Sequence, residues 1–269
     1  MTSAVTTAFA KAAAEDRAAV VGYLPAGFPS VRGAIAAARA MAASGADVIE
    51  VGLPYSDPLM DGPVIAEAVH RALAAGTKAA DVLRTVEAVA AAGVPALVMT
   101  YWNPVEAYGV PAFARDLAAA GGSGLITPDL APEEAGQWLA VSDEHGLDRV
   151  FLVAPSSAGS RIAMICAACR GFVYAASLMG ITGTRASLGA DAAALVGRVR
   201  ASTALPVAVG IGVSDGAQAA QVAAFADGVI VGSAFVRRLL DAAGEAAGAR
   251  AVAELAAELA AGVRRRAGS

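Results

Sequence analysis

The order of segments along this 269-residue chain predicts an α/β fold, a closed (β/α)8 TIM barrel with an additional N-terminal helix and further helices. Three observations predict it. Eight short apolar runs recur along the chain. Each is followed by Ala-rich, helix-favouring sequence. No Pro/Gly/Ser-rich linker interrupts the series, so residues 1–269 read as a single domain. Strict strand–helix alternation argues for a parallel sheet, and eight units argue for closure. The alternative is an open doubly wound sheet. It would carry a Gly-rich fingerprint after the first strand, and Gly22 and Gly27 lack that spacing.

Residues 7–17 read as a short helix ahead of the barrel. A strand over 19–24 ends at Pro25-Ala-Gly27, and Ser30 is placed to cap a helix over 31–43. Gly45 stops that helix and a strand over 48–53 follows. Pro63 opens a helix that Gly76 ends; Thr77 is a candidate cap for another over 79–92. The third strand spans 95–101 and a helix spans 110–120. The fourth strand, 124–127, leads to a helix over 132–144, and the fifth, 149–154, to one over 160–169. The sixth strand covers 171–177, followed by a Gly/Ser/Thr-rich stretch, 178–189, longer than an ordinary βα loop, and a helix over 190–200. The seventh strand (206–210), a helix (214–225), the eighth strand (228–232) and helical sequence to about residue 266 complete the chain.

Composition narrows the function classes. Hydrophobic residues make up 57% and charged residues 16%, ample for a large core. Mean hydropathy is +0.58, which raises the question of a membrane. No run of ~20 apolar residues is free of Gly, Pro or charge, and the N-terminus lacks a signal-peptide pattern. A soluble cytoplasmic protein is expected. The net charge of −4, with the only basic block at Arg264-Arg-Arg266, argues against nucleic acid as a partner. Cys166 and Cys169 form a C-x-x-C late in a helical segment, without a second pair for zinc, and read as structural.

What is missing is as informative. The two lysines, Lys11 and Lys78, and the two histidines, His70 and His145, all lie away from strand C-terminal ends. This argues against a Schiff-base lysine and against a His-built metal site, so no metal is expected. Acid–base chemistry is left to carboxylates and tyrosines. Glu50 sits inside the apolar second strand, and Asp61 follows in the loop before Pro63. A carboxylate in a buried strand is costly unless it is paired or used. Glu50 is therefore either a hydrogen-bonded structural acid or a reacting group, and Asp61 either a helix cap or a second reacting group. Glycines cluster after the last strands: Gly183, then Gly210-Ile-Gly212, then Gly232-Ser233. They either turn βα corners or let backbone N–H groups approach a phosphate.

Taken together these residues resemble the tryptophan synthase alpha chain family along essentially the whole sequence. The specific blocks are Glu50-Val-Gly-Leu-Pro-Tyr-Ser-Asp-Pro-Leu-Met-Asp-Gly-Pro63, Phe172-Val-Tyr174, Gly180-Ile-Thr-Gly183, Gly210-Ile-Gly212 and Val229-Ile-Val-Gly-Ser233. The resemblance implies retro-aldol cleavage of indole-3-glycerol phosphate to indole and glyceraldehyde 3-phosphate. It implies Glu50 as the principal acid–base group, Asp61 at the indole N–H, and Tyr174 beside Glu50. It implies a phosphate held by Gly183, Gly212, Gly232 and Ser233, and an indole pocket walled by Tyr23, Met99, Tyr101 and Ile126. Thr182 would close over Asp61 as part of a lid. The implied partner is a beta chain in an alpha2beta2 heterotetramer, met by Pro54, Asp57 and Asn103. No cofactor is implied in this chain; pyridoxal phosphate belongs to the beta chain. Tyr23 stands where another aromatic is usual, so its hydroxyl needs accommodation, and Pro128 and Ala131 also depart from the family pattern. A stand-alone indole-glycerol-phosphate lyase and a catalytically silent scaffold barrel are the competing readings. A scaffold would be expected to lack Glu50 or Asp61.

Overall fold

The computed structural model describes residues 3–176 and 185–264, and of 185–188 the backbone only. Eight parallel strands close in sequence order, β1 to β8. They are β1 (Ala19–Pro25), β2 (Val48–Gly52), β3 (Ala96–Met99), β4 (Gly124–Thr127), β5 (Asp148–Val153), β6 (Val173–Ala176), β7 (Val207–Gly210) and β8 (Gly228–Val231). Closure comes from the β1–β8 ladder, where Ala19 pairs with Gly228 and Gly22 with Val231. Among the described residues the helices are α1 (Ala4–Ala14), α2 (Val31–Ala43), α3 (Pro63–Ala74), α4 (Ala79–Ala90), α5 (Trp102–Tyr108), α6 (Val110–Ala119), α7 (Gly136–Glu144), α8 (Gly159–Ala168), α9 (Arg185–Arg200), α10 (Gly216–Ala223), α11 (Ser233–Leu240) and α12 (Glu245–Val263).

Two apolar layers hold this together. The larger lies between the sheet and the surrounding helices and includes Met41, Phe113, Trp138, Phe151 and Phe235. The smaller fills the barrel. There Val21, Val48, Leu97, Ile126, Val150, Phe172, Ala208 and Ile230 point inward from all eight strand segments. Strand side chains alternate between the faces, so every second residue of each run meets its counterparts across the barrel.

The N-terminal helix stoppers the base. Ser3 caps α1 by accepting from the Thr6 N–H at 3.1 Å, and Val5, Phe9 and Ala12 join the inner cluster. The Phe9 and Phe172 ring centroids are 5.2 Å apart. Gly228 makes room for this: a Cβ there would stand 2.8 Å from Phe9 and 2.9 Å from Ala208. At the same end, carboxylates just ahead of two strands tie down their neighbours. Asp47 accepts from Arg17 at 2.6 and 2.8 Å and from the Val20 N–H at 2.8 Å. Asp227 accepts from the Val207 N–H at 2.9 Å and from Arg200 at 2.8 Å.

Several element boundaries differ from the sequence expectation, each for a local reason. Helix α5 is unanticipated: the sequence expectation has no element between residues 101 and 110. Pro104 falls in its first turn, where an N–H has no intrahelical partner. Asp129 accepts from the Trp102 N–H at 3.0 and 3.1 Å, and Gly109, at φ +92°, ends the helix. Thr77 is not the cap of α4. The chain enters at Lys78, and Asp81 accepts from the Lys78 N–H at 2.8 Å. Helix α7 starts at Gly136 rather than 132, α9 at Arg185 rather than 190, and the C-terminal segment breaks between Leu240 and Glu245.

Replacing the stopper ring by Phe9→Ala leaves a cavity under the barrel. The expected loss is about 3–5 kcal/mol of unfolding free energy, read from the midpoint of a urea melt, with far-UV circular dichroism of the native state unchanged.

Candidate active site

The inner alternation that fills the barrel also brings the sequence-predicted side chains to its upper end. On β1 and β2, Tyr23 and Glu50 are direct cross-strand partners, and on β5 and β6 Leu152 pairs with Tyr174. They stand one inward position above Val21, Val48, Val150 and Phe172. The barrel there opens into a cavity of about 250 Å³. Glu50, Asp61, Tyr174, Tyr23, Met99, Tyr101, Gly212, Gly232 and Ser233 all line it.

Glu50 is 1% exposed. Among the described residues neither carboxylate oxygen has a hydrogen-bond partner. Glu50 is therefore not a structural acid hydrogen-bonded to any described residue. With no compensating donor among them, burial pushes its carboxyl up to about 8. Asp61 is half-buried in the loop between β2 and α3. It is not the cap of α3: Gly62 holds the N-cap position and no side chain caps that helix. The Tyr101 hydroxyl donates to Asp61 Oδ1 at 3.0 Å. Burial raises the Asp61 carboxyl, and the Tyr101 hydrogen bond partly opposes that rise.

Three tyrosines surround the two acids. Burial raises the phenols of Tyr174 and Tyr23, and the nearby Glu50 charge adds to both. Burial also lifts Tyr101 to about 12. These hydroxyls therefore stay protonated around neutrality and can donate. Two glycines make space for them. A Cβ on Gly210 would stand 2.6 Å from the Tyr174 hydroxyl, and one on Gly52 would collide with that of Tyr23. Gly210 thus admits a tyrosine. Gly212, at φ +78°, is the one whose backbone demands glycine.

On the far side, α11 begins at Ser233, with Gly232 at its N-cap. The first backbone bond into this helix is Val236 N–H to the Gly232 carbonyl at 3.1 Å. The N–H groups of Ser233, Ala234 and Phe235 precede it and lack intrahelical partners, which suits an anion. No described side chain caps this end.

Some expected positions fall elsewhere. Ile126 is fully buried in the inner cluster and is not among the residues lining the cavity, so it supports the floor without walling the pocket. Pro54 is buried, whereas Asp57 and Asn103 are exposed. Thr182 and Gly183 lie outside the described residues. The cavity also holds side chains to which the sequence reading gave no role: Tyr55, Met60, Thr100, Leu152, Ile211 and Ile230. Leu152 and Ile230 were discoverable from strand alternation alone. Among the described residues no cluster of three or more His, Cys, Asp or Glu could hold a metal. No described helix is long and apolar enough to cross a membrane.

Fold and site define a barrel with an acid–base cavity at its strand C-terminal end, beside a helix N-terminus open to an anion. Comparison with known proteins makes this specific. Residues 9–264 match the family model described as tryptophan synthase alpha chain. The chain is similar to the tryptophan synthase alpha chain of Thermobifida fusca, 66% identical over 87% of each chain. It is also similar to that of Salinispora arenicola, 64% identical over 89% of this chain and 90% of that one. A Mycobacterium tuberculosis tryptophan synthase structure superimposes with TM-score 0.91 at 56% identity, covering 98% of this chain and 99% of that one. The alpha chain from Legionella pneumophila gives 0.89 at 32% identity, with all of both chains covered. The chain belongs to the tryptophan synthase alpha chain family, and with it to the enzymes of tryptophan biosynthesis.

The raised Glu50 carboxyl has a consequence for stability. Between the ordinary carboxylate range, near 4.5, and about 8, the unfolded chain has released this proton and the folded chain still holds it. Stability is therefore lost as pH rises through that window. Glu50→Gln removes the titration. Its effect on unfolding free energy is expected to become more favourable between pH 5 and pH 8.5, by up to about 4 kcal/mol, in paired denaturant melts at the two pH values.

Proposed function

We propose that this chain cleaves indole-3-glycerol phosphate to indole and glyceraldehyde 3-phosphate, as the alpha subunit that docks on a pyridoxal-phosphate-bearing beta chain. The observation that carries the reading is Glu50: a buried carboxyl with no partner among the described residues, facing the same cavity as Asp61. Carbon–carbon cleavage needs a proton delivered to C3 of the indole ring and a proton taken from the adjacent glycerol hydroxyl. As the bond breaks, its electron pair returns to the ring and the hydroxyl carbon becomes an aldehyde. A group that ionises near 8 populates both its acid and its base form around neutrality, so Glu50 can serve both transfers. Asp61 meets the indole N–H and stabilises the positive charge that develops there when C3 is protonated, most effectively with water excluded. Tyr174 holds the glycerol beside Glu50.

The phosphate rests on Gly212, Gly232 and Ser233 at the start of α11, joined by resemblance by Gly183. Tyr23, Met99 and Tyr101 wall the ring. No cofactor of this chain's own is required. The loop after β2 and the start of α5 offer the beta chain a face, with Asp57 and Asn103 exposed and Leu59 85% exposed. The stand-alone lyase uses the same groups and differs in needing no beta chain. A silent scaffold gives no reason to keep a buried carboxyl unpaired.

The test is indole release from indole-3-glycerol phosphate by the pure chain, with and without an added beta chain. Slow release, greatly accelerated by the beta chain, is the expected result, and Glu50→Gln loses on the order of 10²–10⁴-fold in kcat. Fast release indifferent to the beta chain would favour the stand-alone lyase, and no release under either condition would overturn the reaction. Gly212→Val, at a positive-φ position, is expected to raise KM more than it lowers kcat.

A further inference from the structure

Tyr101 lines the cavity, yet its contacts exceed what a wall residue needs. It is the N-cap residue of α5, in extended conformation. The next N–H, of Trp102, is held by both oxygens of Asp129 at 3.0 and 3.1 Å, so the turn carrying Tyr101 is tied to the end of β4. Its hydroxyl accepts from the Met60 N–H at 2.9 Å and donates to Asp61 Oδ1 at 3.0 Å. One phenol thereby holds two consecutive residues of the loop after β2. Its ring packs on Tyr55, with centroids 5.5 Å apart. The Tyr55 hydroxyl in turn accepts from Asn103 Nδ2 at 3.0 Å. Asn103 is exposed and lies two residues from Tyr101. The contacts thus run from the surface, through Asn103, Tyr55 and Tyr101, to Asp61.

We infer that Tyr101 is a positioning residue: it fixes the Asp61 carboxylate through Oδ1, leaves Oδ2 for the substrate, and is braced from outside by Tyr55 and Asn103. The inference deepens the proposed reaction and rests on its reading of Asp61. Nothing else in the described structure does this work, because α3 begins without a side-chain cap. Among the described residues the other ionisable groups at the cavity are acids, Tyr23 from β1, Glu50 from β2, Tyr55 from the loop after β2 and Tyr174 from β6, while Asp129 faces Tyr101 from the end of β4. None of these brings a positive charge to Asp61. A phenol donating to the carboxylate favours its charged form and counters the burial that disfavours it. The same bond selects one side-chain orientation, and a small misplacement of a group that must meet a transition state is costly.

The test uses the full chain labelled with ¹³C at aspartate carboxyls, with Asp61→Asn identifying the Asp61 signal. Tyr101→Phe is expected to move the Asp61 titration midpoint upward. It should also shift the acidic limb of the kcat–pH profile in the same direction, lower kcat roughly 10-fold to 100-fold, and leave KM within about twofold. In the Asp61→Asn background the same substitution is expected to cost less than about twofold further. Asn103→Ala, on the surface and tolerant of folding, is expected to raise the midpoint to a smaller degree. An unchanged Asp61 midpoint in both variants, or a full additional loss in the double mutant, would reduce Tyr101 to a wall of the pocket. The titration decides this without turnover. Absence of indole release by the wild-type chain would instead overturn the proposed reaction and leave the titration result standing.

Discussion

Both oxygens of Glu50 are buried, and among the described residues no donor pairs with either. An ionised carboxylate in such a place costs several kcal/mol, so the group keeps its proton to a higher pH than a surface acid. The site as a whole follows from that desolvation. It demands a dry floor, supplied by the inner apolar cluster, and a closed base, supplied by Phe9 and its helix. It demands neighbours that are polar enough to meet a substrate but carry no positive charge that would pull the carboxyl back to its ordinary range. The three tyrosines meet that requirement, since burial keeps their hydroxyls neutral.

The two carboxylates occupy different environments, and their chemistry divides accordingly. Glu50 is isolated and set by burial alone. Asp61 is half-open and has a hydrogen bond that works against its burial. Different environments suit two acids to separate tasks. The acid that accepts a hydrogen bond favouring its charged form is suited to holding a developing positive charge. The group that ionises near neutrality is suited to moving protons.

Strand alternation and glycine or proline punctuation made the eight strands legible, because inward and outward positions follow strictly from a period of two. They also made Glu50 legible, as the one acid inside a five-residue strand that is buried throughout. Asp61 was legible by its place in a family motif, but its partner was not. Tyr101 lies 40 residues further on, and only the β2–β3 ladder brings the two together. Helix α5 escaped because its cap, Asp129, comes from the following βα loop and leaves no local signature. Gly210 looked like part of a phosphate cradle, whereas its missing side chain is explained by Tyr174. Ile126 was assigned to the pocket from resemblance, but its register beside Val150 places it in the floor. What sequence alone could not resolve, in each case, was a contact between residues far apart in the chain.

The stopper at the base of the barrel has a further meaning for traffic. With Phe9 and its neighbours packed under the strands, the described structure gives a small molecule no route through the floor. Exchange with solvent is left to the upper rim, where the β2 loop and the start of α5 lie. Under the proposed reaction, a partner seated on that rim would govern residence time inside. An apolar product as small as a bicyclic ring would then depart at the pace of the cover and not of its own diffusion. A helix at the opposite end of the molecule from the chemistry would thus help decide where the product goes.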